Sequence, residues 1–306
     1  MEKIPVLVIA GPTASGKTDL AVEIAKKYNG EVISADSMQI YKWMDIGTAK
    51  PTEEEMGGVP HHMIDIIEPF DNYSVALYVE KVHGIIEDII GRGKLPIVAG
   101  GTGLYINSLI DDVEFSEEKS DPEIRKKLED IAKNEGRERL MEMLADCDPI
   151  SYEKIHPNNL KRVIRAIEFF ELTGEPISAQ TEKSKQKESR YEPLMLMIAR
   201  PREYLYERIE KRVDIMLRVG LVEEVEKLKD MGLTKKHLSM QGIGYKEVLD
   251  YLRGFTTGDE MIRIIKRDTR HYAKRQLTWF NRDKRMIRID GDLFKEACAV
   301  IDSWKR

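Results

Sequence analysis

Sulfur is scarce in this chain. Cys147 and Cys298 are the only cysteines in 306 residues. That excludes a disulfide framework and any thiolate metal cluster, and fits ordinary thiols of a reducing compartment. Long apolar runs are missing too. No stretch of 18 uncharged apolar residues exists, so no transmembrane helix is expected. The opening MEKIPVLVIAG holds one short apolar run leading straight into a glycine-rich loop. It reads as a first strand and not a signal peptide, and a cytoplasmic protein is the expectation. No internal repeat or low-complexity tract is present. Positive charge is not in excess either: 49 Lys+Arg face 54 Asp+Glu for a net charge of −5, which on its face argues against a nucleic-acid partner.

What is present is enough for a buried core. A chain of this length forms one or two domains and is no small disulfide scaffold or peptide hormone. With 42% hydrophobic and 34% charged residues, the whole chain is not expected to be disordered. The charge is unevenly spread. Residues 1–150 carry 16 Lys+Arg and 29 Asp+Glu, net −13, whereas residues 151–306 carry 33 and 25, net +8. Such asymmetry is a cue for an extended anionic partner.

Apolar runs at Ile4–Ala10, Glu31–Ala35, Leu95–Ala99 and Pro193–Ala199 predict buried strands. Helical spacing predicts helices over Asp19–Tyr28, broken by Asn29-Gly30, and over 75–90, ended by Gly91 and Gly93. The stretch from Asp36 to Asp71 is less regular. Strand and helix in alternation imply a parallel α/β sheet. From about Phe115 to Arg190 the chain is charged and helical in pattern, with helices starting near Pro122 and Pro157 and a polar loop or hinge at Gln180–Arg190. Residues 201–306 alternate helical segments and glycine breaks. The expected fold is therefore an α/β P-loop-type parallel sheet flanked by helices. Residues 1–115 and 191–306 form its core, and 116–190 an all-helical insertion.

Gly11-Pro12-Thr13-Ala14-Ser15-Gly16-Lys17-Thr18 fits G-x-x-x-x-G-K-[ST] between a strand and a helix, the setting this nucleotide-binding-type motif requires. Glycines let backbone N–H groups converge on phosphate oxygens, and the helix N-terminus adds partial positive charge. Lys17 adds a full charge, and the Thr18 hydroxyl can ligate Mg²⁺. The motif specifies a polyphosphate but not which one. A kinase or ATPase needs further groups to hold the metal and position a nucleophile, and one candidate carboxylate exists. Asp36 ends the strand after the P-loop helix, at the carboxyl edge where ligands bind an open sheet. There it can hold Mg²⁺ through water or act as a general base, or simply cap a helix or sit at the surface. A small-molecule kinase using ATP and a non-catalytic P-loop RNA-binding protein remain open on these residues alone.

Several blocks narrow the choice. Asp36-Ser37-Met38-Gln39-Ile40-Tyr41-Lys42-Trp43-Met44-Asp45-Ile46-Gly47-Thr48-Ala49-Lys50-Pro51 resembles the signature of the tRNA dimethylallyltransferases. So do 60–66 (PHHMIDI), 100–105 (GGTGLY), 156–158 (HPN) and 274–279 (KRQLTW), in the family's order. Eukaryotic relatives often carry a C-terminal zinc finger. Two cysteines allow none, so the chain resembles the bacterial form. The resemblance implies transfer of the five-carbon group of dimethylallyl diphosphate to N6 of the adenine just 3′ of the anticodon, with diphosphate released and with the P-loop serving the diphosphate and not ATP hydrolysis. It implies Asp36 as the base, Thr102 bonding at the same site, Lys17, Thr18 and Mg²⁺ on the leaving group, and Arg212, with Arg208 the weaker candidate, on the diphosphate. The two arginines lie four apart on a predicted helix over 201–220 whose buried stripe is Leu205, Ile209, Val213 and Met216. A solvated face pairing them with Glu207 and Glu210 is the alternative.

For the tRNA anticodon stem-loop the resemblance implies contacts at Asp36, Ser37, Met38, Gln39 and Thr102, at Arg125, and at Lys161, Arg162, Val163, Ile164 and Arg165. It adds Gln241, Gly242, Ile243, Gly244, Tyr245 and Lys246, then Lys274, Arg275, Gln276, Leu277, Thr278, Trp279, Phe280 and Asn281. Residues 261–290 independently hold 10 Lys+Arg against 3 acids, with His271, Tyr272, Trp279 and Phe280 interleaved, a mixture suited to phosphate contact and base stacking. An amphipathic helix with a basic solvent face has the same composition. His61 and His62 lack a third histidine or cysteine nearby and are assigned a supporting role, not a metal site. Met195, Met197, Met216 and Met240 are assigned to the core. The protein is expected to be a monomer that binds no membrane.

Overall fold

A computed structural model describes residues 3–113, 115, 121–186 and 188–304. The chain divides into two compact units: Met1–Ile110 with Arg190–Arg306, and Asp111–Ser189. The division anticipated at 115–116 touches residues 116–120, which lie outside those described.

The first unit begins β1 (Ile4–Ala10), α1 (Lys17–Tyr28), β2 (Gly30–Ala35), α2 (Glu53–Met56), β3 (His61–His62), α3 (Val75–Gly91), β4 (Leu95–Gly100) and α4 (Gly103–Ile110). The second is helical: α5 (Pro122–Asn134), α6 (Arg137–Cys147), α7 (Pro149–Lys154), α8 (Leu160–Thr173) and α9 (Ile177–Gln186). The chain then returns to the first unit with β5 (Tyr191–Ile198), α10 (Arg202–Arg218), α11 (Leu221–Asp230), α12 (Tyr245–Leu252), α13 (Gly258–Phe280), β6 (Met286–Ile289) and α14 (Leu293–Trp304).

Six strands form one parallel sheet in the order β3-β2-β4-β1-β5-β6. Its central strands are almost wholly buried, β1 from Val6 onward, as a parallel sheet covered on both faces demands. On one face Leu7 and Ile9 of β1 and Ile97 of β4 pack with Leu20 and Ile24 of α1 and Ile301 of α14. A separate apolar cluster joins Ile40, Tyr41 and Met44 to Val213, Leu221, Tyr245 and Val248. Met195, Met197 and Met240 are buried and Met216 packs against this second cluster. Asn29 ends α1 in the left-handed conformation at φ 54°, as the Asn-Gly break predicts.

The second unit buries Leu128, Leu140, Leu144, Val163 and Ile167 together. Asp148 is fully buried and accepts from the N–H and hydroxyl of Ser151 and of Ser178. That carboxylate caps α7 and anchors the start of α9. The anchor explains one correction: Gln180–Gln186, expected as a polar loop, is helical. Residue 187 in the same stretch lies outside the described residues. β6 and the two-residue β3 also went unanticipated, because β6 is a four-residue edge strand with exposed Ile287 and Arg288.

Candidate active site at the carboxyl edge of the sheet

Strand register assembles the site. Ala10 of β1 lies opposite Gly100 of β4, and Gly100 lies opposite Ala35 of β2. The residues that follow, Gly11, Gly101 and Asp36, therefore leave the sheet side by side at its carboxyl edge. Gly100 has to be glycine there. A Cβ would sit 2.2 Å from the Ala35 carbonyl oxygen.

The P-loop 11–18 runs from β1 into α1, with Ala14 at φ 64° and Gly16 at φ 92°. This left-handed excursion turns the first amides of α1, which have no intrahelical partner, toward the loop's concavity. Ser15 is 3% exposed and its Oγ has no hydrogen-bond partner. An orphaned buried hydroxyl inside a phosphate-type loop is what a site built for an anion's oxygens would leave. The loop is braced from α10 and α13: Ala14 packs on Ile209 and Ala273.

Charge is concentrated beside the loop. The Lys17 ammonium donates to the Pro12 carbonyl at 2.7 Å. Burial, helped by the Arg212 charge, lowers its pKa to about 8, while Asp36 pulls the other way. Asp36 is pushed above the usual carboxylate range by burial, against the N–H of Met38, which donates to Oδ1 at 2.9 Å, and the charge of Lys17. Lys17 thus feels both Asp36 and Arg212. Thr102 receives the Ser37 N–H on Oγ1 at 3.1 Å and donates its own N–H to the Ala35 carbonyl at 3.0 Å. This fixes the start of the Asp36 segment against the second glycine-rich loop. Burial and the Asp36 charge raise the pKa of the Tyr272 phenol on α13, so this tyrosine, read from sequence only as one of the aromatics interleaved with basic residues, belongs to the same environment.

The two arginines differ. Arg212 is half-buried and forms no hydrogen bond or ion pair with another described residue, and burial and Arg208 lower its pKa. Arg208 is exposed, bonds the Tyr204 hydroxyl at 3.2 Å and lies over that ring at 5.6 Å. The pairing with Glu207 and Glu210 is not seen. Glu207 binds Lys211, and Glu210 binds Arg270.

The expected RNA-contact residues fall into two kinds. Lys274, Arg275, Thr278 and Asn281 on or after α13 are exposed, as are Lys161 and Arg162 on α8 and Gln241. Trp279 is 37% exposed, donates Nε1–H to Asn107 at 2.9 Å and packs so closely on Gly103 that a Cβ there would meet the indole at 2.3 Å. Met38 abuts Gly242. Others are buried or have their polar groups engaged by the protein itself. Val163, Ile164, Tyr245 and Phe280 are buried. Arg125 and Arg165 bind the buried Glu168, and Gln39 bonds Ser34 and the carbonyls of Thr48 and Ala49.

Gln276 is the clearest case. It is 5% exposed, accepts the Thr13 N–H at 2.9 Å and donates to the Gly101 carbonyl at 2.9 Å. Instead of offering an amide to RNA, it bolts the P-loop to the second glycine loop. His62 binds the buried Glu31 at 2.7 Å, and His61 bonds the Val59 carbonyl. No group of three His, Cys, Asp or Glu able to hold a metal occurs among the described residues. None of their helices is long and apolar enough to cross a membrane.

Comparison with known proteins gives the family of the chain. A family model described as IPP transferase matches residues 39–283, and one described as isopentenyl transferase matches residues 4–66. The chain is 56% identical over 300 residues to a tRNA dimethylallyltransferase of Acetivibrio thermocellus, covering 98% of this chain and 96% of that one. It is 50% identical to that of Lachnoclostridium phytofermentans, covering 97% and 95%. Among solved structures, the full-length tRNA isopentenylpyrophosphate transferase of Bacillus halodurans superposes with a TM-score of 0.74 at 43% identity, covering 99% of this chain and 96% of that one. A eukaryotic dimethylallyltransferase acting on tRNA gives 0.78 at 32% identity, covering 94% and 74%.

Proposed function

This chain belongs to the tRNA dimethylallyltransferase family and is a prenyltransferase that moves a dimethylallyl group onto an adenine of tRNA; from that premise we propose that the acceptor atom is N6 of the adenine 3′-adjacent to the anticodon. The observation that carries the reading is the meeting of Asp36 with the P-loop. The Asp36 carboxylate and the Lys17 ammonium of the phosphate cradle lie close enough to shift each other's titration.

The donor's diphosphate lies in the P-loop, among the helix N-terminal amides, Ser15, Lys17 and Arg212. As the allylic C–O bond breaks, negative charge grows on the leaving oxygens, and these preorganised donors hold it. The attacking N6 is a poor nucleophile because its lone pair is delocalised into the ring. It sheds a proton as the C–N bond forms, and Asp36 takes that proton. The raised pKa makes Asp36 a stronger base than an ordinary carboxylate, provided it is ionised when the adenine arrives. The adenine reaches this edge by leaving its stack. The divalent ion that diphosphate chemistry of this kind uses is Mg²⁺ in this reading. The Thr18 hydroxyl would hold it, with the donor's oxygens and water completing the shell, because no cage of protein carboxylates occurs among the described residues. When bound, it neutralises leaving-group charge.

The unit Asp111–Ser189 is read as the part that grips the anticodon stem, through exposed cations such as Lys161 and Arg162. The enzyme acts as a cytoplasmic monomer. Incubation with Mg²⁺, labelled dimethylallyl diphosphate and unmodified tRNA tests the reading. Label recovered in N6-modified adenosine next to the anticodon supports it. ATP turnover with no label in RNA overturns it.

A further inference from the structure

The segment that follows Asp36 is held from a distance by one side chain. Glu224 on α11 receives the backbone N–H groups of Asp45 at 2.9 Å and Ile46 at 2.8 Å on Oε2, and of Gly47 at 3.1 Å on Oε1. The Tyr245 hydroxyl donates to the same Oε1 at 2.7 Å. Three successive amides turned onto one carboxylate form a small anion-binding nest, and here the anion is supplied by the chain itself. The Tyr245 ring lies close under this turn: a Cβ on Gly47 would meet Cε2 at 2.4 Å. The turn in turn sets its neighbours, since the Gln39 amide donates to the carbonyls of Thr48 at 3.4 Å and Ala49 at 3.3 Å while its oxygen accepts from Ser34 at 3.0 Å. A continuous set of contacts therefore runs from α11 through the 45–49 turn to Gln39, three residues from Asp36.

We propose that Glu224, with Tyr245, is a positioning residue for the acceptor. By occupying the 45–47 nest it fixes the turn that orients Gln39 and the Asp36 segment toward the incoming adenine. This rests on the reading that the 36–39 segment meets the acceptor. In this assignment Glu224 acts through the turn and not by contact with a substrate. A carboxylate is required because each of its oxygens accepts from a backbone N–H. In Glu224→Gln one of those positions becomes an NH₂ facing a donor, and the turn must shift to escape it. A displacement of about 1 Å in a positioning element can cost roughly 100-fold in rate.

The test uses full-length protein and measures kcat and KM for tRNA, affinity for dimethylallyl diphosphate, and thermal stability. Glu224→Gln is expected to lower kcat/KM for tRNA by roughly 10- to 100-fold, with donor affinity within about twofold of the parent. Tyr245→Phe keeps the ring beneath Gly47 and removes one bond, and is expected to show a smaller loss of the same kind. In a Gln39→Ala background, Glu224→Gln is expected to add less than about twofold, because both act through one turn. Equal loss of donor affinity, unchanged tRNA kinetics in both single variants, or fully additive losses in the double variant would overturn the assignment. A parent enzyme that fails to prenylate tRNA at all would instead refute the function on which it rests.

Discussion

Lys17 and Asp36 are each held in a charge state that costs the fold something. For Lys17, burial brings the pKa from 10.5 to about 8. An unfolded chain therefore binds more protons between those values, and this group's contribution to stability rises as pH rises from about 8 to 10.5. Donor binding runs the other way, because the diphosphate needs the ammonium. Calorimetric titration of dimethylallyl diphosphate at pH 8, in buffers of different ionisation enthalpy, is expected to show uptake of up to roughly half a proton, and Lys17→Met should abolish that uptake. For Asp36 the folded pKa lies above the unfolded one. Stability is therefore lost as pH rises from the unfolded carboxylate value through the folded one, and above that range the carboxyl is a net cost to the fold. Asp36→Asn keeps an acceptor for the Met38 N–H and removes that cost. Thermal denaturation at pH 7 should show a higher Tm alongside strongly reduced turnover, the trade expected of a group kept for chemistry. The arginines make a sharper contrast. Arg212→Ala is expected to weaken donor kcat/KM on the order of 10²-fold, whereas Arg208→Ala, whose guanidinium is already engaged by Tyr204, should cost only a few-fold in the same steady-state assay.

At the scale of elements, α13 serves two purposes, and only one is visible in its sequence. Its exposed Lys274 and Arg275 announce an anionic partner by composition. Gln276 beside them does not announce that it bonds Thr13, 263 positions away, and Gly101, 175 away. Removing that amide by Gln276→Leu leaves the buried Gly101 carbonyl without this partner, a loss of about 1–3 kcal/mol, and the half-buried Thr13 N–H without its own, at a smaller cost. The expected outcome is a lower urea midpoint and weakened donor binding together, since the P-loop and the second glycine loop lose their common brace. The central elements β1, α1, β2, α3, β4 and β5 were legible because continuous apolar runs and 3.6-residue periodicity are local signals. β6 was not, being a short strand at the sheet edge. α9 was not, because its polar sequence is anchored by Asp148 some thirty residues earlier. The same reasoning covers the site. Gly11–Thr18 and Asp36 are written in local pattern, whereas the engagement of Gln276 and Tyr245 by distant groups depends on pairings that no spacing encodes.

For the whole molecule, the net charge of −5 misleads and its distribution does not. In the proposed function the P-loop binds its anion through convergent amides and half-buried cations, where local geometry outweighs the global sign. The same proposal has the tRNA met by surface cations, of which Lys161, Arg162, Lys274 and Arg275 are exposed. The logarithm of the affinity for tRNA should therefore fall linearly with log[salt], and Lys161→Ala with Arg162→Ala should flatten that slope by roughly 0.7–0.9 for each phosphate no longer neutralised. Donor affinity measured on the same variants should be unchanged.

The central claim is that Asp36 takes the acceptor's proton beside a P-loop that holds diphosphate. Single-turnover transfer of label from dimethylallyl diphosphate to unmodified tRNA, comparing the parent with Asp36→Ala at saturating tRNA, tests it most directly. The account predicts tRNA affinity within about twofold and a transfer rate lowered by roughly 10²- to 10⁴-fold. A variant that transfers label at the parent rate would contradict it.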